Sequence, residues 1–132
     1  MVDTDTSDPL NLSLFHMNIR SLPAHFHELE SYLDILKHRF QVIGITESWL
    51  TQSNNDIYNF ESYHHVKRFR NDRSGGGVSV FVDKDLQYVV RDDLCIFNDT
   101  MESMFVEITC NANDHRHDII IGVIYRPPGT NI

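Results

Sequence analysis

Three apolar runs, each stopped by a polar residue, constrain what this 132-residue chain can fold into. Leu12–Phe15 leads into Met17-Asn18-Ile19-Arg20-Ser21-Leu22, and Val42-Ile43-Gly44-Ile45 leads into Thr46-Glu47-Ser48-Trp49-Leu50. The third run, Ile119-Ile120-Ile121-Gly122-Val123-Ile124, ends in Tyr125-Arg126-Pro127-Pro128. A short continuous apolar run reads as a strand buried on both faces, the pattern of a sheet covered on each side. In α/β folds the ends of such strands are where ligands bind. The chain is therefore expected to gather Asn18, Glu47 and Tyr125, which are distant in sequence, into one site.

Between the first two runs, Leu22, Phe26, Leu29, Leu33 and Leu36 recur at spacings of four and three, which predicts one amphipathic helix. Ser21 is its expected N-cap, and Pro23 falls in the first turn, where proline is tolerated. A β-α-β unit with a parallel crossover follows from this order. The segment from Thr51 to Tyr63 reads as loop with at most a short helix. Gly75-Gly76-Gly77 opens the strand Val78–Val82, and Leu86–Val90 is expected to be its hairpin partner across the turn Asp83-Lys84-Asp85. Met104, Val106 and Ile108 alternate with Phe105, Glu107 and Thr109 in a further strand, followed by a turn at 111–114 and the last apolar run. The expectation is an α/β fold of roughly six strands and one helix.

Composition excludes several classes of function. The longest apolar run is far short of the roughly 20 residues of a membrane helix, and Met1–Asp8 is too acidic for a secretory or transit peptide. Residues 1–9 read as a disordered acidic tail, and the default compartment is intracellular. Cys95 and Cys110 lack any metal or redox spacing and read as free thiols. A net charge of −8 argues against a general nucleic-acid coat, which needs clustered cations. It leaves room for an enzyme that confines positive charge locally, and Lys67-Arg68-Phe69-Arg70-Asn71-Asp72-Arg73 is such a stretch, or else a solvated loop. The paired histidines at 25 and 27, 64 and 65, and 115 and 117 have no complementary ligands and read as surface residues. Gly75–Gly77 lacks the Lys and Ser/Thr of a phosphate-binding loop. Trp49 reads as packing at a loop base, with contact to a nucleobase as the other reading.

A carboxylate ending a buried strand is costly unless paired or metal-bound, and a hard oxygen donor such as Glu47 suits Mg²⁺. Asn18 could orient a phosphate oxygen or hold that carboxylate. Taken singly, Asn18 also reads as a turn residue and Glu47 as a solvated acid.

Four motifs in order, Met17–Leu22, Ile45–Leu50, Gly75–Val82 and Val123–Pro128, resemble the endonuclease/exonuclease/phosphatase superfamily. More narrowly they are similar to the apurinic-type endonuclease domain of non-LTR (LINE-type) retrotransposons, over about Leu10 to Pro128. The resemblance implies a four-layer α/β sandwich and Mg²⁺-dependent hydrolysis of a DNA phosphodiester, a nick that primes reverse transcription. It implies that Asn18 contacts the scissile phosphate and supports the metal, that Glu47 ligates the metal, and that Tyr125 holds or polarises the phosphate. Arg20, Arg68, Arg70, Arg73 and Arg126 are the candidate DNA contacts. Arg20 stands where some members carry an acid, so a metal role there is lost.

The family's later motifs, Gly-Asp-x-Asn and a terminal Asp-His pair, do not follow Tyr125; Asp114-His115 comes too early and reads as a surface turn. Residues 10–132 are therefore expected to be the N-terminal half of such a domain, truncated, and nearly inactive alone. The expected partners are DNA, the missing C-terminal half and a reverse transcriptase region of the same polyprotein, with a nuclear location in an active element and no membrane. The alternative is a non-catalytic relic or binding module.

Overall fold

The computed structural model describes residues 12–112 and 115–129. The elements run β1 (Leu14–Asn18), α1 (Leu22–Leu36), β2 (Val42–Thr46), β3 (Tyr63–Arg68), β4 (Val78–Asp83), β5 (Gln87–Val90), β6 (Glu102–Ala112) and β7 (His115–Tyr125). They form a mixed α/β fold of two sheets, ordered β1-β2-β4-β3 and β5-β6-β7, with one helix. β1 and β2 are parallel, as the β-α-β reading requires, and every other pairing is antiparallel. The acidic tail expected over 1–9 and the turn residue Asp114 lie outside the described residues. Among the described residues, no helix is long and apolar enough to cross a membrane.

Side-chain parity along the strands builds two cores. Ile43, Ile45 and Phe81 face α1 and pack with Leu22, Phe26 and Leu29. Val42, Val78, Val80 and Val82 face the second sheet and meet Met104, Val106, Ile108, Cys110, Val123 and Tyr125. β2 and β4 are buried along their whole length because both their faces are covered. Ser21 caps α1, its hydroxyl accepting from the Ala24 N–H at 3.2 Å, and Pro23 sits in the first turn. The helical stripe is buried through Leu29 and half-buried at Leu33, but Leu36 is exposed.

Leu86–Val90 does not pair with β4, since both edges of β4 are taken by β2 and β3; β5 crosses to the second sheet and pairs with β6. The turn is instead tied down by Asp83, which receives Arg39 Nε at 3.0 Å and the Asp85 N–H at 2.9 Å. The strand β3 was not legible, because Tyr63, His65 and Lys67 stand on its core-facing parity where an apolar alternation is expected.

His65 is a core histidine and not a surface one. Its ring stacks on Phe81 at 4.1 Å and its Nε2 hydrogen-bonds Ser79 Oγ at 2.8 Å. Burial, reinforced by the Lys67 charge, pulls its pKa from 6.5 down to about 3. The unfolded chain therefore takes up a proton below pH 6.5 that the folded chain refuses until about pH 3. Stability from this residue is complete above pH 6.5 and is lost on acidification through that window, at up to about 1.4 kcal/mol per pH unit. A His65→Gln variant is expected to flatten the slope of urea midpoint against pH between 3 and 6.5; an unchanged slope would contradict it.

Candidate functional site

The ladder registers bring one end of every strand pair to the same end of the sandwich. Asn18 is opposite Thr46 and Thr46 is opposite Val78, while Glu102 is opposite Tyr125. The ends of β2 and β7 and the approaches to β4 and β6 surround one mouth, with the end of β1 beside β2. Backbone bonds tie the loops together there: Ser21 N–H donates to Glu47 O at 2.9 Å, Leu22 N–H to Ser48 O at 2.8 Å, and Trp49 N–H to Gly76 O at 2.8 Å.

Glu47 and Tyr125, from different sheets, meet in this mouth and line a cavity of about 470 Å³. Burial, followed by interaction with the Glu47 carboxylate, pushes the Tyr125 pKa up to about 12. Tyr125 is thus a neutral hydrogen-bond donor throughout the physiological range. Four residues without the freedom of glycine carry positive φ at these strand ends: Arg20 (48°), Ser21 (98°), Glu47 (52°) and Trp49 (58°). Such conformations cost on the order of 1–3 kcal/mol each and concentrate at functional sites.

On the cavity wall Arg70 makes an ion pair with a buried carboxylate, Glu102, that the sequence reading did not single out. Glu102, 1% exposed, receives Arg70 Nε at 2.6 Å and the Gly77 N–H at 2.8 Å. Gly77 has φ +92°, and a Cβ there would stand 2.5 Å from the buried Ser48 hydroxyl. The signal was present in parity: positions 102, 104, 106, 108 and 110 all face the core, so Glu102 falls on the buried side and requires a partner.

The candidate DNA-contacting arginines divide. Arg70 lines the cavity and is held by Glu102. Arg73 lines the cavity and pairs with Asp99 at 2.9 Å, and Arg68 pairs with Asp92 at 2.9 Å, both on the surface. Exposed pairs of this kind are worth about 0–1 kcal/mol and exchange partners readily. Arg20 and Arg126 are exposed beside Asn18 and Tyr125 respectively. Asn18 is exposed at the end of β1, on the parity that faces the second sheet, but does not line the Glu47–Tyr125 cavity.

Among the described residues no group of three or more Asp, Glu, His or Cys could enclose a metal. The carboxylates lining the cavity are Glu47 and Asp99, the latter paired with Arg73, and the Asn18 amide stands outside it at the end of β1. That hard, sparse set fits Mg²⁺, which takes one or two protein carboxylates and keeps several waters, and does not fit zinc. No protein-family model matches the chain, and no curated protein matches it.

Proposed function

We propose that this chain carries part of a Mg²⁺-dependent DNA-nicking site of the endonuclease/exonuclease/phosphatase type, as in LINE-type retrotransposons. The observation that carries the reading is the Glu47–Tyr125 contact. It joins a carboxylate and a neutral phenol from two sheets at strand ends, in strained backbone, beside arginines. Glu47 would hold the ion with Asn18; bound there, the metal would offset charge on the phosphoryl oxygens and orient the nucleophile. Tyr125 would donate a hydrogen bond from its neutral phenol to a non-bridging phosphate oxygen, and Arg73 would leave Asp99 for the flanking phosphate. The nuclear location and the reverse transcriptase partner belong to this reading.

Helix, sheet and sheet account for three layers of the proposed four-layer sandwich. The outer face of the second sheet supports a fourth, because Val89, Ile120 and Ile124 are 59%, 49% and 53% exposed there. Among the described residues β1 and β7 each pair on one side only, which leaves both sheets room to be extended by the rest of such a domain. The same exposed apolar face favours a second reading, in which the chain is a non-catalytic binding module.

The deciding experiment is Mg²⁺ titration by calorimetry, with plasmid nicking alongside, for the chain and its Glu47→Ala variant. The chain is expected to bind Mg²⁺ and the variant to lose that binding, with nicking weak or absent. Equal binding or nicking by the variant would remove Glu47 from the metal site, and no binding by either would favour the binding module.

A further inference from the structure

We infer that Trp49 is the stacking wall for an unpaired nucleobase next to the phosphodiester held at Glu47 and Tyr125. This rests on the proposed phosphodiester site and names the form of nucleic acid it takes.

Trp49 is the chain's single tryptophan and remains 37% exposed. Two residues after Glu47, it lines the same cavity as Glu47, Tyr125 and Arg73. Its backbone is fixed at φ 58°, an uncommon conformation for a bulky residue, by the bond from its N–H to Gly76 O. The strain sets the large ring on the cavity wall, where water reaches it. An aromatic face, a cation in a weak surface pair and a carboxylate in one cavity match the three parts of a nucleotide: base, phosphate and metal-bound phosphoryl oxygen.

Charge cannot supply the affinity of this site. The chain carries a net charge of −8, and the two arginines lining the cavity, Arg70 and Arg73, are already paired with Glu102 and Asp99, so a polyanion gains little from counterion release. Stacking is insensitive to that charge and contributes substantially per base whatever the sequence. A base within a duplex has both faces covered by its neighbours. A base that can lie on Trp49 is unpaired, in single-stranded or locally melted nucleic acid.

The test uses the full chain in EDTA, so that no strand is cut. Binding of a fluorescein-labelled octanucleotide is followed by anisotropy, and an unlabelled strand is titrated against tryptophan emission. Emission is expected to quench over the concentration range in which anisotropy saturates. Trp49→Leu is expected to weaken binding roughly tenfold, and Trp49→Tyr to retain it within about threefold, since any aromatic face stacks. An octanucleotide of abasic residues is expected to bind the chain as weakly as the ordinary strand binds the Leu variant, and to show no further loss with that variant. Binding with unquenched emission, an unaffected Leu variant, or a preference for duplex overturns the stacking wall and leaves the phosphodiester reading standing. No binding of single strand or duplex overturns both.

Discussion

Arg70→Met is expected to cost about 3–5 kcal/mol of stability, because it leaves a carboxylate in the core without its counter-ion. Glu102 is 1% exposed and the Arg70 side chain 13%, so water cannot take over the charge. The gross attraction in the native pair is largely offset by desolvation, so the loss measures the stranded charge more than the pair's net worth. The double variant Arg70→Met/Glu102→Gln separates the two. Gln still offers an oxygen to the Gly77 N–H and carries no charge, so it is expected to recover most of the loss in urea unfolding. A single variant within about 1 kcal/mol of the parent chain would mean that the carboxylate finds another partner. The effect extends to the cavity, since Gly76 and Gly77 hold the backbones of Trp49 and Ser48. On the proposed metal-site reading, even a chain that remains folded is expected to bind Mg²⁺ more weakly.

Phe81→Ala is expected to be of similar size, about 3–5 kcal/mol, from lost burial and an unfilled cavity. The ring is fully buried, stacked on His65 at 4.1 Å and edge-on to Phe60 at 4.8 Å. Against a typical total of 5–15 kcal/mol, that is a large fraction. A second signature distinguishes this loss from generic loosening. Without the ring, His65 is less desolvated, so the acid-dependent fall in stability between pH 6.5 and about 3 is expected to become shallower. Urea midpoints of the parent and variant at pH 7 and pH 4.5 check both effects; parallel shifts at the two pH values would sink the second.

Sequence alone carried the β-α-β unit well, because Ser21, Pro23 and the four-three spacing from Leu22 to Leu33 all specify the same helix. It carried β2 because both its faces are apolar, and β4 because Val78–Val82 is a largely β-branched run. It missed β3, where His65 is made a core residue by Ser79 and Phe81, neighbours supplied by another strand. It also paired β5 with β4, since nothing in Leu86–Val90 states which of two sheets the turn at Asp83 feeds. The candidate site divides along the same line. Glu47 and Tyr125 end obvious strands, and their contact follows once the sheets face each other. Glu102 was readable from parity, but its partner Arg70 was not, because a buried ion pair across 32 residues is a property of the packed sheets.

The β6–β7 hairpin has a further consequence. Its register runs from Ala112 opposite His115 at one end to Glu102 opposite Tyr125 at the other. Eleven residues of strand put those ends roughly 35 Å apart at about 3.3 Å per residue. A slip of one residue turns every side chain of β7 to the opposite face, putting Ile124 or Arg126 in the place of Tyr125. The hairpin is in effect a ruler, and the number of residues in a remote connection decides whether the phenol meets the carboxylate.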